Sequence, residues 1–171
     1  MKISVGLLSL LTTACAFLPR PAPTPVRTEV HEPSAAPEEL VVLLPGRYSL
    51  PRELEREGFV RQVRASRPRA RIVVPDLHLG YYRNRISSER LHRDIVLPAH
   101  REGIRRVTLV GISMGGLGAM LYEFEHPGHV QEIIMLSPFL GDSSVIGESH
   151  AGPHRQCVLP HRGCSEKVRL F

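Results

Sequence analysis

Tryptophan is absent and aromatic residues make up only 5% of the chain, which removes the stacking surface that single-stranded nucleic acid requires. Lysine is nearly absent too. Two Lys against 20 Arg give a net charge of +5, with acidic residues interspersed among the Arg. That is a compositional habit rather than an electrostatic footprint, and no nucleic-acid partner is expected. Three Cys in 171 residues are too few for a disulfide scaffold, so a hydrophobic core must hold the fold. The length allows one domain. An apolar content of 42% with 23% charge excludes wholesale disorder and collagen-like or coiled-coil character.

The first residues have a processing pattern rather than a folding one. Lys2 precedes an apolar run over 3–11 and the small residues Thr12, Thr13 and Ala14, the charge, apolar, small order of a secretory signal over 1–14. The run is too short to span a bilayer. Leu11-Thr12-Thr13-Ala14-Cys15 resembles a bacterial lipoprotein cleavage box. The resemblance implies acylation at Cys15 and a membrane anchor in the bacterial cell envelope, on the periplasmic side or at the outer membrane. A plainly cleaved signal and an uncleaved anchor are the alternatives. Residues 15–38 hold Pro19, Pro21, Pro23, Pro25, Pro33 and Pro37, and such a stretch is expected to be an extended tether outside the core.

Beyond it, two patterns alternate. Apolar runs at 40–44, 70–74, 107–110 and 133–136, rich in Val and Ile, end at Pro45-Gly46, Pro75-Asp76, Gly111 and Ser137-Pro138. Runs of four or five without polar alternation read as strands buried on both faces. Between them lie helix-length stretches. Residues 53–65 place Leu54, Phe59, Val60 and Val63 on one side, weakened by Gly58. Residues 88–102 start at a Ser cap and meet Pro98, which is expected to kink the helix. Residues 114–125 carry Leu117, Met120, Leu121 and Phe124 at helical spacing. Four strand-then-helix repeats predict an α/β fold, a mainly parallel sheet of about four strands with helices on both faces.

Gly111-Ile112-Ser113-Met114-Gly115 fits G-x-S-x-G immediately after a buried strand and at the opening of an amphipathic helix. A sharp strand-to-helix turn forces the Ser into a strained conformation, and Gly111 and Gly115 avoid clashes with that turn. The hydroxyl then stands near a helix N-terminus, where N–H groups steady a developing oxyanion. A tight Gly-rich packing turn with an idle Ser is the blander reading.

With this motif in place, residues 39–147 resemble the first half of an α/β-hydrolase. The resemblance implies Ser113 as nucleophile and Met114 N–H as one oxyanion donor. The other donor is Arg47 N–H, or Tyr48 N–H, in the loop Leu44-Pro45-Gly46-Arg47. It also implies a small ester substrate, no cofactor, and strand order second, first, third, fourth, with the site at the switch point.

Residues 148–171 break the pattern. They hold no apolar run longer than three but three His, two Cys and two Pro, and are expected to be irregular, as a shifted frame or truncated gene would leave them. The family's acid and His normally follow on later strands. Asp142 with His150, His154 or His161 would restore the chain order, His154 being the candidate retained. Asp142 is otherwise a turn residue. Cys157 and Cys164 suit a small disulfide loop better than a zinc site with His154 and His161, and no metal is expected. His78 and His92 read as exposed, and His126 and His129 as residues without a catalytic role. The combined expectation is a serine ester hydrolase with a weakly activated Ser113, prone to self-association through an uncovered sheet edge. The alternative is a non-catalytic envelope lipoprotein that keeps the half-fold as a binding or structural module.

Overall fold

The computed structural model describes residues 20–139 and 168–171. Cys15, Asp142, His150, His154, Cys157, His161 and Cys164 lie outside them.

The elements are β1 (Thr28–His31), β2 (Glu39–Leu44), α1 (Pro51–Arg56), α2 (Phe59–Ser66), β3 (Ala70–Pro75), α3 (Leu79–Arg83) and α4 (Ser87–Leu91). A wide helical turn follows at His92–Val96, then α5 (Leu97–Arg101), β4 (Arg106–Ile112), α6 (Met114–Glu125), β5 (Glu132–Leu136) and β6 (Val168–Leu170). They build one six-stranded sheet in the order β1-β3-β2-β4-β5-β6. All neighbours are parallel except β1, which runs antiparallel to β3. The four expected strands therefore occupy the centre in the expected order, second, first, third, fourth.

Why β2 reads as an unbroken apolar run is visible in its packing. Leu40, Val42 and Leu44 join the core on one sheet face with Leu91, Val96, Leu109 and Tyr122. Val41 and Leu43 join the core on the other face with Leu54, Val60, Ile72 and Val110. Alternate side chains point oppositely, so a strand covered on both sides needs apolar residues at every position. Each such side chain contributes on the order of 2 kcal/mol of burial free energy.

The structure corrects four expectations. The stretch 53–65 is not one helix but α1 and α2, separated at Gly58, whose φ of 90° is the left-handed conformation that glycine adopts without strain. The cap expected at Ser88 is absent. α4 starts at Ser87 after Ile86, which makes no side-chain cap, and Ser87 and Ser88 are buried. Pro98 acts through the wide turn before it, where the Leu97 N–H donates to the His92 carbonyl five residues back. Pro98 has no N–H to continue the ladder and its ring crowds the carbonyl four residues earlier, so widening the turn relieves both.

The third correction concerns the supposed tether. From Arg20 onward it packs on the domain: β1 adds to the sheet edge, and Val26 is 5% exposed with its N–H donating to Asp94 Oδ2 at 2.9 Å. The Tyr81 hydroxyl donates to the Pro23 carbonyl at 2.7 Å, and Arg20 forks onto Asp76 at 3.1 and 3.2 Å. Backbone pairing and these few anchors hold the segment, and neither leaves a hydrophobic period in the sequence.

The fourth lies at the other edge. Val168–Leu170 pairs in parallel with Ile133–Met135, so the chain's end is not irregular throughout and the edge of β5 expected to stand uncovered has a neighbour. Three exposed residues are below the length at which alternation or an apolar run is readable.

Candidate active site

Ser113 sits between the end of β4 and the start of α6 with φ 51° and ψ −113°, a conformation costly for any residue with a Cβ. The surroundings hold it there. The Ser113 N–H donates to the Leu136 carbonyl at 3.0 Å, and its own carbonyl accepts from Gly116 N–H and Phe139 N–H, both at 2.9 Å. Leu136 closes β5 and Phe139 follows it, so the next strand and its loop lock the elbow. Only glycine fits beside it. A Cβ on Gly111 would lie 2.5 Å from the Gly115 carbonyl oxygen, and one on Gly115 would lie 2.1 Å from that of Leu44. The expectation that Gly111 and Gly115 serve close approach thus has a definite contact at each.

The loop after β2 comes to the same place. A Cβ built on Gly46 would be 3.7 Å from Ser113 Cβ, and the Ser49 N–H closes a turn onto the Gly46 carbonyl at 3.2 Å. Arg47 is exposed, with its guanidinium 5.2 Å from the ring centre of Tyr48, itself 81% exposed. Met114 opens α6, whose first-turn N–H groups have no partner within the helix. Among the described residues, neither Met114 N–H nor Arg47 N–H has an acceptor. β2 and β4 are adjacent in the sheet, and their following loops leave it at its switch point. Open α/β sheets bind ligands there.

Ser113 is half-buried, and no side chain among the described residues hydrogen-bonds to its hydroxyl. Asp142 and His154 are outside those residues, so the elbow and the loop after β2 come together, while the two residues expected as acid and base lie outside what is described. The sequence marks the loop after β5 by its Ser137-Pro138 strand stop but not its contact with the elbow: Pro138 presses on Gly116, with 2.7 Å between its Cβ and a Cβ built there. A separate cavity of about 270 Å³ between β1, β3 and α5, lined by Arg71, Asp94 and Glu102 among others, contains none of the expected site residues.

The histidines also depart from expectation. His78 is 5% exposed, and its Nδ1 accepts the Gly80 N–H at 3.1 Å at the start of α3. Burial, reinforced by Arg20, pushes its pKa below the usual histidine value. His92 is half-buried and packs with His126 and His129, and His100 stacks on His129. Burial, then the neighbouring imidazoles, lowers the pKa of His92 and of His100.

The strand order and strand-elbow-helix junction define the class: the chain has the α/β-hydrolase fold. Residues 95–169 match the family model described as "Putative esterase". Among solved structures, an S-formylglutathione hydrolase from Agrobacterium tumefaciens superposes with a TM-score of 0.53 at 15% identity, covering 68% of this chain and 53% of that one. A highly thermostable carboxyl esterase from Bacillus coagulans gives 0.51 at 15% identity, covering 65% and 39%. A "probable hydrolytic enzyme" from Pseudomonas aeruginosa PAO1 gives 0.50 at 22% identity, covering 70% and 39%. The chain thus spans about half or less of the length of these relatives. No curated protein matches it.

Proposed function

We propose that the chain is a serine hydrolase of carboxylic esters with Ser113 as nucleophile. The observation that carries this is the strained Ser113 at the switch point beside the loop after β2, where Met114 N–H and Arg47 N–H have no acceptor among the described residues. Ser113 Oγ attacks the ester carbonyl, and the carbonyl oxygen becomes an oxyanion held by Met114 and Arg47 N–H. Collapse expels the alcohol and leaves an acyl-Ser113, which water cleaves to the acid. The hydroxyl proton needs a base, and the described residues offer none bonded to it. Ser113 is therefore weakly activated unless Asp142 and His154 complete a triad.

The test is labelling with a fluorophosphonate probe alongside turnover of short p-nitrophenyl esters. Slow labelling that disappears in Ser113→Ala is expected, with a rate about a hundredfold to ten-thousandfold below that of a base-assisted site. Labelling unchanged in Ser113→Ala would remove the assignment. Fast turnover lost in both Ser113→Ala and His154→Gln would establish the triad instead. Folded protein without labelling or turnover would favour the non-catalytic reading, a binding or structural module in the envelope.

The anchor at Cys15 stands as a proposal on the sequence features before it. Radiolabelled palmitate is expected to mark the chain in a bacterial host, and Cys15→Ser to abolish the label and release the protein from membranes. Equal retention of the variant would end the idea.

A further inference from the structure

The strands β2, β3, β4, β5 and β6 are parallel, so all of them end on one side of the sheet. β3 ends at Pro75, and Asp76 just beyond it holds Arg20. β2 leads to Arg47 and Tyr48, β4 to Ser113, β5 to Phe139 and β6 to Phe171. In sheet order these form one row, four strand spacings or about 19 Å long. Among the described residues four aromatic side chains are exposed: Tyr48 at 81%, Phe171 at 74%, Phe124 at 69% and Phe139 at 48%. Three of them stand in this row. Backbone bonds pin two of the three, since Phe139 N–H donates to the Ser113 carbonyl at 2.9 Å and the Phe171 carbonyl accepts from Ser137 N–H at 3.1 Å. Exposed apolar residues scattered singly are ordinary, whereas aromatic rings gathered along one edge mark a contact surface.

We propose that this end of the sheet is a docking face for an anionic phospholipid bilayer, with Tyr48, Phe139 and Phe171 entering the headgroup region. The course of the chain points to that occupant. Arg20 forks onto Asp76, and its carbonyl oxygen lies 2.5 Å from a Cβ built on Gly80, so the chain enters the domain in the row itself, two strand spacings or about 10 Å from the Ser113 strand. Five residues separate Arg20 from Cys15. They span at most about 18 Å in any conformation. The lipid attachment proposed at Cys15 therefore keeps this end of the sheet, rather than the opposite one, beside the membrane.

Side-chain chemistry favours the same occupant. Aromatic rings, tyrosine above all, settle at the boundary between headgroups and acyl chains because one part of the ring is apolar and its edge or hydroxyl is wet. Arg47 is exposed, has no carboxylate partner among the described residues, and holds its guanidinium 5.2 Å from the Tyr48 ring centre. A guanidinium matches phosphate oxygens in pairs, so Arg47 meets a lipid phosphate at the depth where the Tyr48 ring meets the acyl boundary. The docking itself does not depend on chemistry at Ser113. Its consequence for substrate rests on the hydrolase reading above: Ser113 then opens onto the bilayer, and the ester it receives belongs to a membrane-held amphiphile rather than to a freely dissolved molecule.

The chain has no Trp, so a single introduced one reports on its own position. The experiment compares Tyr48→Trp, Phe171→Trp and Phe124→Trp as full chains from a bacterial host, added to vesicles of phosphatidylglycerol and phosphatidylcholine. Phe124 is the remote control: it lies ten residues along α6 from Met114, about 15 Å toward the other end of the sheet. Blue-shifted emission and quenching by brominated acyl chains are expected for Tyr48→Trp and Phe171→Trp, and neither for Phe124→Trp. Adding Arg47→Glu to Tyr48→Trp should weaken the quenching. No association with the vesicles, equal quenching at all three positions, or quenching at position 124 alone overturns the proposal. Quenching as strong on phosphatidylcholine alone overturns the anionic assignment. Emission already blue-shifted before lipid is added overturns it as well, because the rest of the chain, or a second copy if the shift grows with protein concentration, then covers the face. Fluorescence reads the face without Ser113 chemistry. An unreactive Ser113 therefore removes the membrane-held substrate and leaves the docking face standing.

Discussion

Gly115→Ala is expected to destabilise the protein by about 3 kcal/mol, the upper part of the range for overpacking. The added Cβ would lie 2.1 Å from the carbonyl oxygen and 2.7 Å from the carbonyl carbon of Leu44. Both are backbone atoms at the end of β2, in register with Gly111 of β4, and no rotamer change can move them. α6 would have to lift off the sheet, withdrawing Met114 from the mouth of the site and breaking packing around Ala119 and Tyr122, both fully buried. Urea unfolding followed by circular dichroism measures the loss. Gly128→Ala is the control: it sits at φ 85° with open space around its Cβ position, so it should lose only the backbone cost of about 1 kcal/mol. If the two variants unfold together, steric contact with β2 is not what demands glycine at 115.

Arg67→Ala is the second large effect, about 2–3 kcal/mol. The guanidinium bridges Glu39 on β2 at 2.8 Å and Glu132 on β5 at 2.5 Å, and donates to Thr108 on β4 at 3.2 Å. One side chain therefore ties the N-terminal ends of three parallel strands. Burial works against its charge, but the hydrogen bonds it donates to Glu132 and Glu39 outweigh that and raise its pKa above the ordinary arginine value. Side-chain exposures of 22%, 15% and 12% for Arg67, Glu39 and Glu132 put the network near the interior regime, where removing one partner strands the others' charge. Arg106 and Arg169 also approach the two carboxylates, at 3.6 and 3.3 Å, which keeps the expected loss below that of a fully buried pair. Adding Glu39→Gln and Glu132→Gln to Arg67→Ala should recover much of the stability. Failure to recover would assign the loss to the arginine stem's packing rather than to unpaired charge.

Neither residue's importance was equally visible in the chain. Gly115 belongs to a short motif beside a strong apolar run, so its demand for space could be read locally. Arg67 is one arginine among 20, and only the parallel register that sets Glu39, Thr108 and Glu132 side by side distinguishes it. The same contrast runs through the histidines. His92 and His129 lie 37 positions apart in sequence and share no period, yet the packing of α6 against the segment from α4 to α5 brings their rings together. At the sheet edges, β1 and β6 are held by backbone pairing with half-exposed or exposed side chains, and backbone hydrogen bonds place no requirement on residue type that a reader of the sequence could find.

The sequence by itself determined the four central strands, their parallel arrangement and the elbow at Ser113, because continuous apolar burial and a strained turn each restrict which residues can occur. Tertiary structure alone decided the packing of residues 20–37 on the sheet, the arginine bridge across the strand ends and the gathering of four imidazoles behind α6. Those rest on long-range proximity and on backbone pairing, which constrain where a residue lies far more than what it is.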